Sequence, residues 1–192
     1  MRKAFTERKT KETYIKLEIN LDGKGIFKGS SSFPFLDHML QSFSKHSFCD
    51  LYLEAKGDTH VDIHHLIEDI GIVLGLAIDK ALKDKKGIER YGFFVLPMDE
   101  ALVEVSLDLC GRPYFVWKGF PKFINFLGYE FDIWREFFKS IAFFGKMNLH
   151  INLRYGENLH HIIEATFKAF AKAFKQAKQI SHQDVPSTKG VI

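Results

Sequence analysis

Apolar and polar residues alternate along Tyr14-Ile-Lys-Leu-Glu-Ile-Asn20, so Ile15, Leu17 and Ile19 share one side of an extended chain. This predicts a half-buried strand. Asp22-Gly23 then predicts a hairpin turn, because glycine tolerates a positive φ, with the chain returning through Ile26-Phe27-Lys28. Leu36, Met39, Leu40 and Phe43 have helical spacing, and Leu51-Tyr-Leu-Glu-Ala55 reads as a short strand. A long helix is predicted over residues 63–83, with Leu66, Ile70, Val73 and Ala77 forming its apolar stripe, and Asp84-Lys-Lys-Gly87 ends it. In the second half, Ala101, Val103, Val105, Leu107 and Leu109 alternate strictly, and residues 114–118 form a further strand. A weakly patterned loop covers 119–130. Beyond it, Ile133, Phe137, Ile141 and Phe144 mark a helix. Leu149, Ile151 and Leu153 mark a strand, and Ile163, Phe167, Phe170 and Phe174 a last helix.

Both halves thus end in the order helix, strand, loop, long helix, and the sequence repeats with them. Asp62-Ile-His-His-Leu-Ile-Glu68 and Asn158-Leu-His-His-Ile-Ile-Glu164 match at every position by identity or conservative exchange, 96 residues apart. His38, on the short helix of the first half, has Glu136 as its counterpart about 98 residues on. The chain reads as one unit duplicated over about 1–90 and 91–192. Sheets with helices stacked between them would bury the apolar stripes, which makes the class α+β.

Composition narrows the setting. Hydrophobic residues are 46% and charged residues 27%, ordinary globular usage that excludes a wholly disordered chain. The longest apolar run, residues 70–78, falls well short of the roughly 18 residues of a membrane span. Eight of residues 2–16 are charged, which leaves no apolar core for a signal peptide. Cys49 and Cys110 are isolated and suit a reducing cytoplasm. A net charge of +3 is too mild to argue for nucleic acid. Nine histidines are left to explain.

Residues four apart near a helix start lie on one face, so His64 with Glu68, and His160 with Glu164, can each reach one ion. His65 and His161 point about 100° round the helix, toward a different ion. With His38 and Glu136 the chain offers five imidazoles and three carboxylates, enough for two metals with open positions. That donor set contains no thiolate and suits Mn, Fe, Ni or Zn. A single His-His-x-x-Glu is more often a polar first turn; two copies at matched positions favour a metal site.

The chain resembles the imidazoleglycerol-phosphate dehydratases of histidine biosynthesis. The likeness runs from Arg8-Lys-Thr-Lys-Glu-Thr13 through Phe35-Leu-Asp-His-Met-Leu40, the first His-His motif, Met98-Asp-Glu-Ala101 and Asp108-Leu-Cys-Gly-Arg-Pro-Tyr114. It continues through Gly156-Glu-Asn-Leu-His-His-Ile-Ile-Glu-Ala-Thr-Phe-Lys168 and closes with Pro186-Ser-Thr-Lys-Gly190. The resemblance implies a duplicated α+β fold with four helices between two four-stranded sheets. It implies two Mn²⁺ ions per site, and a cytoplasmic shell of 24 subunits with sites at subunit interfaces. Some relatives carry an N-terminal phosphatase domain; a single dehydratase activity is expected here. By matched position the metal ligands are His38, His64, His65, Glu68, His160, His161 and Glu164. Where relatives have Glu-His-Phe-Phe this chain has Arg135-Glu136-Phe137-Phe138, so Glu136 would replace an imidazole. Mn accepts oxygen ligands.

The implied reaction converts imidazole glycerol phosphate to imidazole acetol phosphate and water. No carbonyl stands beside the proton to be lost, so the imidazole ring is the available electron reservoir. Two metals on its nitrogens would hold an imidazolate. Expulsion of the adjacent hydroxyl would give a diazafulvene-like intermediate, and proton loss an enol that tautomerises to the ketone. Resemblance makes Glu12 the acid/base. It makes His46, Arg90, Arg112, Lys168, Ser187 and Lys189 the phosphate ligands, the last two on a tail expected to order on phosphate. His60, His150 and His182 receive no role. A ferritin-like di-iron oxidase would need a four-helix bundle without these strands. A dinuclear phosphatase would need Asp/His clusters on strand ends, which the sequence lacks. A non-enzymatic metal-binding or assembly protein is the other class, and turnover separates it.

Overall fold

The computed structural model describes residues 1–59, 61–190 and 192, so His60 lies outside the described residues. The first half contains β1 (Lys3–Lys9), β2 (Thr13–Asn20), β3 (Phe27–Ser30), α1 (Pro34–Ser47), β4 (Asp50–Gly57) and α2 (His64–Leu82). The second contains β5 (Tyr91–Met98), β6 (Ala101–Asp108), β7 (Tyr114–Lys118), β8 (Asn125–Phe126), β9 (Tyr129–Glu130), α3 (Ile133–Phe144), β10 (Asn148–Tyr155) and α4 (Leu159–Ala177). Two four-stranded sheets result, ordered β1-β2-β4-β3 and β5-β6-β10-β7. Helix α2 lies on the first sheet and α4 on the second, while α1 packs against α4 and α3 against α2. The class is α+β, with the four helices forming the layer between the sheets, and its strands exclude the four-helix-bundle alternative.

The register makes the duplication measurable. Thr13 and Ala101 open corresponding strands 88 residues apart, whereas β4 and β10 begin 98 apart, at Asp50 and Asn148. The ten extra residues fall between β7 and α3, where β8 and β9 form a small antiparallel hairpin that has no counterpart in the first half. The weakly patterned loop therefore contains a structured insertion. Its Phe126 and Tyr129 pack on Phe35 and Phe33 at the start of α1.

The hairpin expected at Asp22-Gly23 does not form. β3 instead pairs in parallel with β4, Phe27 opposite Leu51, while β2 pairs antiparallel with the other edge of β4. A parallel pair needs a crossover, and α1 supplies it. Asp50 closes the arch: its Oδ1 accepts from the backbone N–H of Lys24 at 2.8 Å and of Ile26 at 3.0 Å. Strands β1 and β5 have no counterpart among the predicted elements. In β1 only Thr6 is buried, so its charged sequence lacks an apolar face. In β5 the aromatics Tyr91 and Phe93 face outward, and the chain turns the buried Gly92 toward α4. A Cβ there would stand 1.9 Å from the Ala173 carbonyl oxygen, so glycine lets helix and sheet meet.

The core between the helices is aromatic. Phe43, Phe137, Phe138, Phe167, Phe170 and Phe174 are all at most 1% exposed. Phe43 stacks on Phe170 at 5.5 Å and Phe138 meets Phe167 at 4.9 Å, which joins α1, α3 and α4. Burying each such ring contributes about 1.5–3 kcal/mol. Phe144, placed on the apolar stripe by its spacing, is 40% exposed, because α3 ends there. Helices α2 and α3 touch backbone to backbone at Gly71, where a Cβ would lie 2.6 Å from the Phe137 carbonyl oxygen.

Candidate metal and phosphate site

The two His-His motifs open α2 and α4, each held by a polar residue two positions before its first histidine. Asn158 caps α4 by accepting from the N–H of His160 at 2.9 Å and of His161 at 3.4 Å. Asp62 accepts from the His64 N–H at 3.0 Å. Such caps satisfy donors that a helix start otherwise leaves open, and here they also fix the histidine backbone.

One cluster joins the halves. His38 from α1 meets His160 and Glu164 from α4, with Glu164 Oε2 at 3.6 Å and 3.0 Å from the two Nε2 atoms. One ligand atom from each residue lies within 4.8 Å of the others, close enough to surround one ion. Phe35 meets the His160 ring edge-on at 5.3 Å and walls the cluster on the side of the β8–β9 insertion. Glu164 is buried, which opposes its charged form. Hydrogen bonds from Lys168, at 2.7 Å, and from His160 outweigh that cost and hold its carboxyl below the usual range. A groove lined by His38, Gln41, Lys45, His46, Glu164 and Lys168 continues from the cluster. Burial and the nearby Lys172 and Lys168 charges push the His46 imidazole down.

A second cluster belongs to the first half. Glu12, in the β1–β2 turn, lies 3.5 Å from His65 Nδ1, and Asp58, just after β4, lies 3.8 Å from the same atom. His65 Nδ1 and Asp58 Oδ1 are buried without a hydrogen-bond partner among the described residues. Orphaned buried polar atoms carry a desolvation cost that a shared cation would relieve, so His65 and Asp58 fit a metal, while the exposed Glu12 is not orphaned. His64 and Glu68 stand beside them, 3.9 Å apart on one face of α2.

His161 sits apart from His160, as the 100° step predicts. Its Nδ1 lies 2.7 Å from Glu100 and its Nε2 3.5 Å from Asp99, both in the β5–β6 turn. The hydrogen bond from His161, with the Asn158 N–H, takes the Glu100 carboxyl down to about 2. The same pairing raises the His161 imidazole. Glu136 is held by cations: Arg135 at 2.6 Å and Lys139 at 2.8 Å. Glu136 belongs to neither of the two clusters among the described residues.

The six expected phosphate ligands divide between two places. His46 and Lys168 line the groove beside the first cluster. Arg90 is at the opposite end of α4, its backbone N–H bonded to the Ala177 carbonyl. The residues from Lys168 to Ala177 rise about 13 Å, at about 1.5 Å each. There Arg90 grips Asp108 through Nε at 2.7 Å and Nη2 at 3.0 Å, and its Nη1 donates to the Pro186 carbonyl. This pins the tail that carries Ser187 and Lys189, where Ser187 Oγ accepts from the Lys189 N–H. The last residue of that tail lies against Gly111, next to the exposed Arg112. One chain therefore does not bring the six together. Asp58, Asp99 and Glu100 complete the clusters although sequence reasoning gave them no role. Glu100 stands in the Met98-Asp-Glu-Ala101 motif, 88 residues after Glu12, the offset of the strands themselves; Asp58 carries no comparable signal.

A duplicated α+β protein with paired imidazole–carboxylate clusters at its helix starts is the class that fold and site define. The family model described as imidazoleglycerol-phosphate dehydratase matches residues 31–174. The chain belongs to the imidazoleglycerol-phosphate dehydratase family, a family of hydro-lyases. It is 56% identical to the imidazoleglycerol-phosphate dehydratase of Thermodesulfovibrio yellowstonii over the full length of both chains. It is 50% identical to that of Geobacter sulfurreducens, covering all of this chain and 99% of the other. The crystal structure of the Staphylococcus aureus enzyme superposes with a TM-score of 0.83 at 35% identity, covering 93% of this chain and 99% of that one. The Pyrococcus furiosus structure gives 0.82 at 36%, covering 97% and 100%.

Proposed function

We propose that the chain dehydrates imidazole glycerol phosphate to imidazole acetol phosphate and water in histidine biosynthesis, using two Mn²⁺ ions per site. The observation that carries this reading is the His38–His160–Glu164 cluster opening directly into a groove lined by Lys168 and His46. A ring-binding metal site would thereby stand beside a phosphate-binding wall whose cations are Lys45 and Lys168. His38, His160 and Glu164 would hold one ion; His64 with Glu68 offer a second chelating pair, with His65, His161 and Glu136 as further ligands. When bound, the ions supply Lewis acidity that favours the ring anion and fixes the ring in place.

The ring N–H proton and the adjacent hydroxyl leave together as water, giving a diazafulvene-like form. A ring nitrogen then regains a proton and the next carbon gives up its own, which leaves the enol of the product. Glu12 is the group for that proton. It is more than half exposed, and its nearest partner, His65, is 3.5 Å away. Its carboxylate is thus free to approach substrate, as a general base must. Lys168 and His46 receive the phosphate.

Arg90, Arg112, Ser187 and Lys189 do not line that groove in one chain. That separation favours sites shared between copies, in a cytoplasmic shell of 24 subunits. No helix of the described residues is long and apolar enough to cross a membrane. Incubation of the purified protein with imidazole glycerol phosphate and Mn²⁺ tests the reading: imidazole acetol phosphate is expected. Its absence from a folded, Mn-loaded preparation would overturn it.

A further inference from the structure

The β5–β6 turn carries a carboxylate that the reaction scheme does not use. Strands β5 and β6 pair from Met98 opposite Ala101, leaving Asp99 and Glu100 as a two-residue turn. Asp99 has φ 47°, the left-handed conformation that such turns require at their first central position. The turn aims Glu100 at the start of α4. There Glu100 Oε1 accepts from the backbone N–H of Asn158 at 2.7 Å and of Glu157 at 3.3 Å. Its Oε2 meets His161 Nδ1 at 2.7 Å. A carboxylate only accepts, so Nδ1 carries a proton, and in the neutral imidazole Nε2, 3.5 Å from Asp99 Oδ2, keeps its lone pair.

The duplication provides an internal comparison. Glu12 and Glu100 each immediately precede the first residue of the corresponding strands β2 and β6. Each faces the second histidine of its half's motif: Glu12 faces His65 and Glu100 faces His161. The engagement differs. Glu12 stands 3.5 Å from its histidine, in a longer turn whose ends pair at Lys9 and Tyr14. Glu100 holds its histidine at 2.7 Å and is tied to the helix backbone as well.

We propose that Glu100 is a positioning residue, which fixes His161 as the Nδ1–H tautomer and presents Nε2 as a metal ligand. This inference rests on the metal reading above. Outer partners of this kind orient a ligating imidazole and raise its basicity. The counterpart Glu12, whose side chain meets no backbone N–H among the described residues, remains free to carry a proton.

Titration of metal-free protein with Mn²⁺, reading free ion by electron paramagnetic resonance, tests the proposal. Wild type is expected to bind two ions; if it binds none, the metal reading fails before this one is reached. Glu100→Gln keeps the size of the side chain and an acceptor for Asn158 but loses the carboxylate. It is expected to weaken one of the two sites by about 10–100-fold and leave the other unchanged. In a His161→Ala background the same substitution should have no further effect on metal affinity. Unchanged affinity at both sites in Glu100→Gln, or a full additional loss in the double variant, would overturn the proposal. A second readout needs no substitution: ¹⁵N NMR of histidine-labelled wild type should show His161 protonated at Nδ1, and the Nε2–H tautomer would contradict the assignment.

Discussion

Glu12 and Glu100 occupy one place in two copies of a unit, yet the first is loosely held and the second is bonded on three sides. At the residue scale this difference separates moving a proton from orienting a ligand. Glu12→Gln is expected to lower kcat by about 10²–10⁴-fold, the usual contribution of a general base, with Mn²⁺ affinity unchanged. Near-normal turnover would remove Glu12 from the reaction. The His64–Glu68 and His160–Glu164 pairs were legible in the sequence, because four-residue spacing on a helix fixes a shared face whatever lies around it. The role of Glu100 was not. Nothing local to Asp99-Glu100 shows that the β5–β6 turn reaches the α4 cap, a contact between residues 58 apart. Asp58 was hidden for the same reason, since it meets His65 only once β4 and α2 are folded together.

At the scale of elements, periodicity found the strands with one apolar face and all four helices. It overlooked β1 and β5, where a charged edge and outward-facing aromatics replace the expected alternation. Adjacency misled at Asp22-Gly23, where local turn chemistry suggested a hairpin but the β3–α1–β4 crossover sets the pairing. Asp50 stabilises that arch. Burial opposes its ionisation, but hydrogen bonds from Ile26, Lys24 and Asn20 prevail and hold its carboxyl below the usual value. Because the folded pKa lies below the unfolded one, this stabilisation is fully present above about pH 4 and is lost as pH falls through the folded value. Asp50→Asn is therefore expected to destabilise the protein at neutral pH by about 0.5–1.5 kcal/mol. The gap from wild type should close on acidification below about pH 4. A gap in thermal midpoint that stays constant from pH 7 to pH 3 would contradict the account.

For the whole molecule, the duplicated architecture was readable because the repeat of the His-His motif survives in sequence. What the sequence left hidden is that the expected phosphate ligands lie apart, Lys168 midway along α4 and Arg90 at its C-terminal end. His46 and Lys168 sit beside the His38–His160–Glu164 cluster, while Arg90 and the tail are tied to the far end of the helix, about 13 Å along it from Lys168. Sites shared between copies reconcile these positions. Complementation is the expected consequence: Glu12→Gln and His160→Ala, inactive alone, should recover part of the activity when dissociated and reassembled together. This requires Glu12 of one copy to serve the His160 cluster of another; no recovery in a mixed assembly would place both within one chain.

The central claim joins metal and chemistry, and both can be read in a single titration. Metal-free protein receives Mn²⁺ stepwise, with bound ion and formation of imidazole acetol phosphate measured at each step. Activity is expected to be absent without metal and to rise to a plateau at two ions per chain. Full turnover without divalent metal, or a plateau of binding with no ketone formed, would contradict the account.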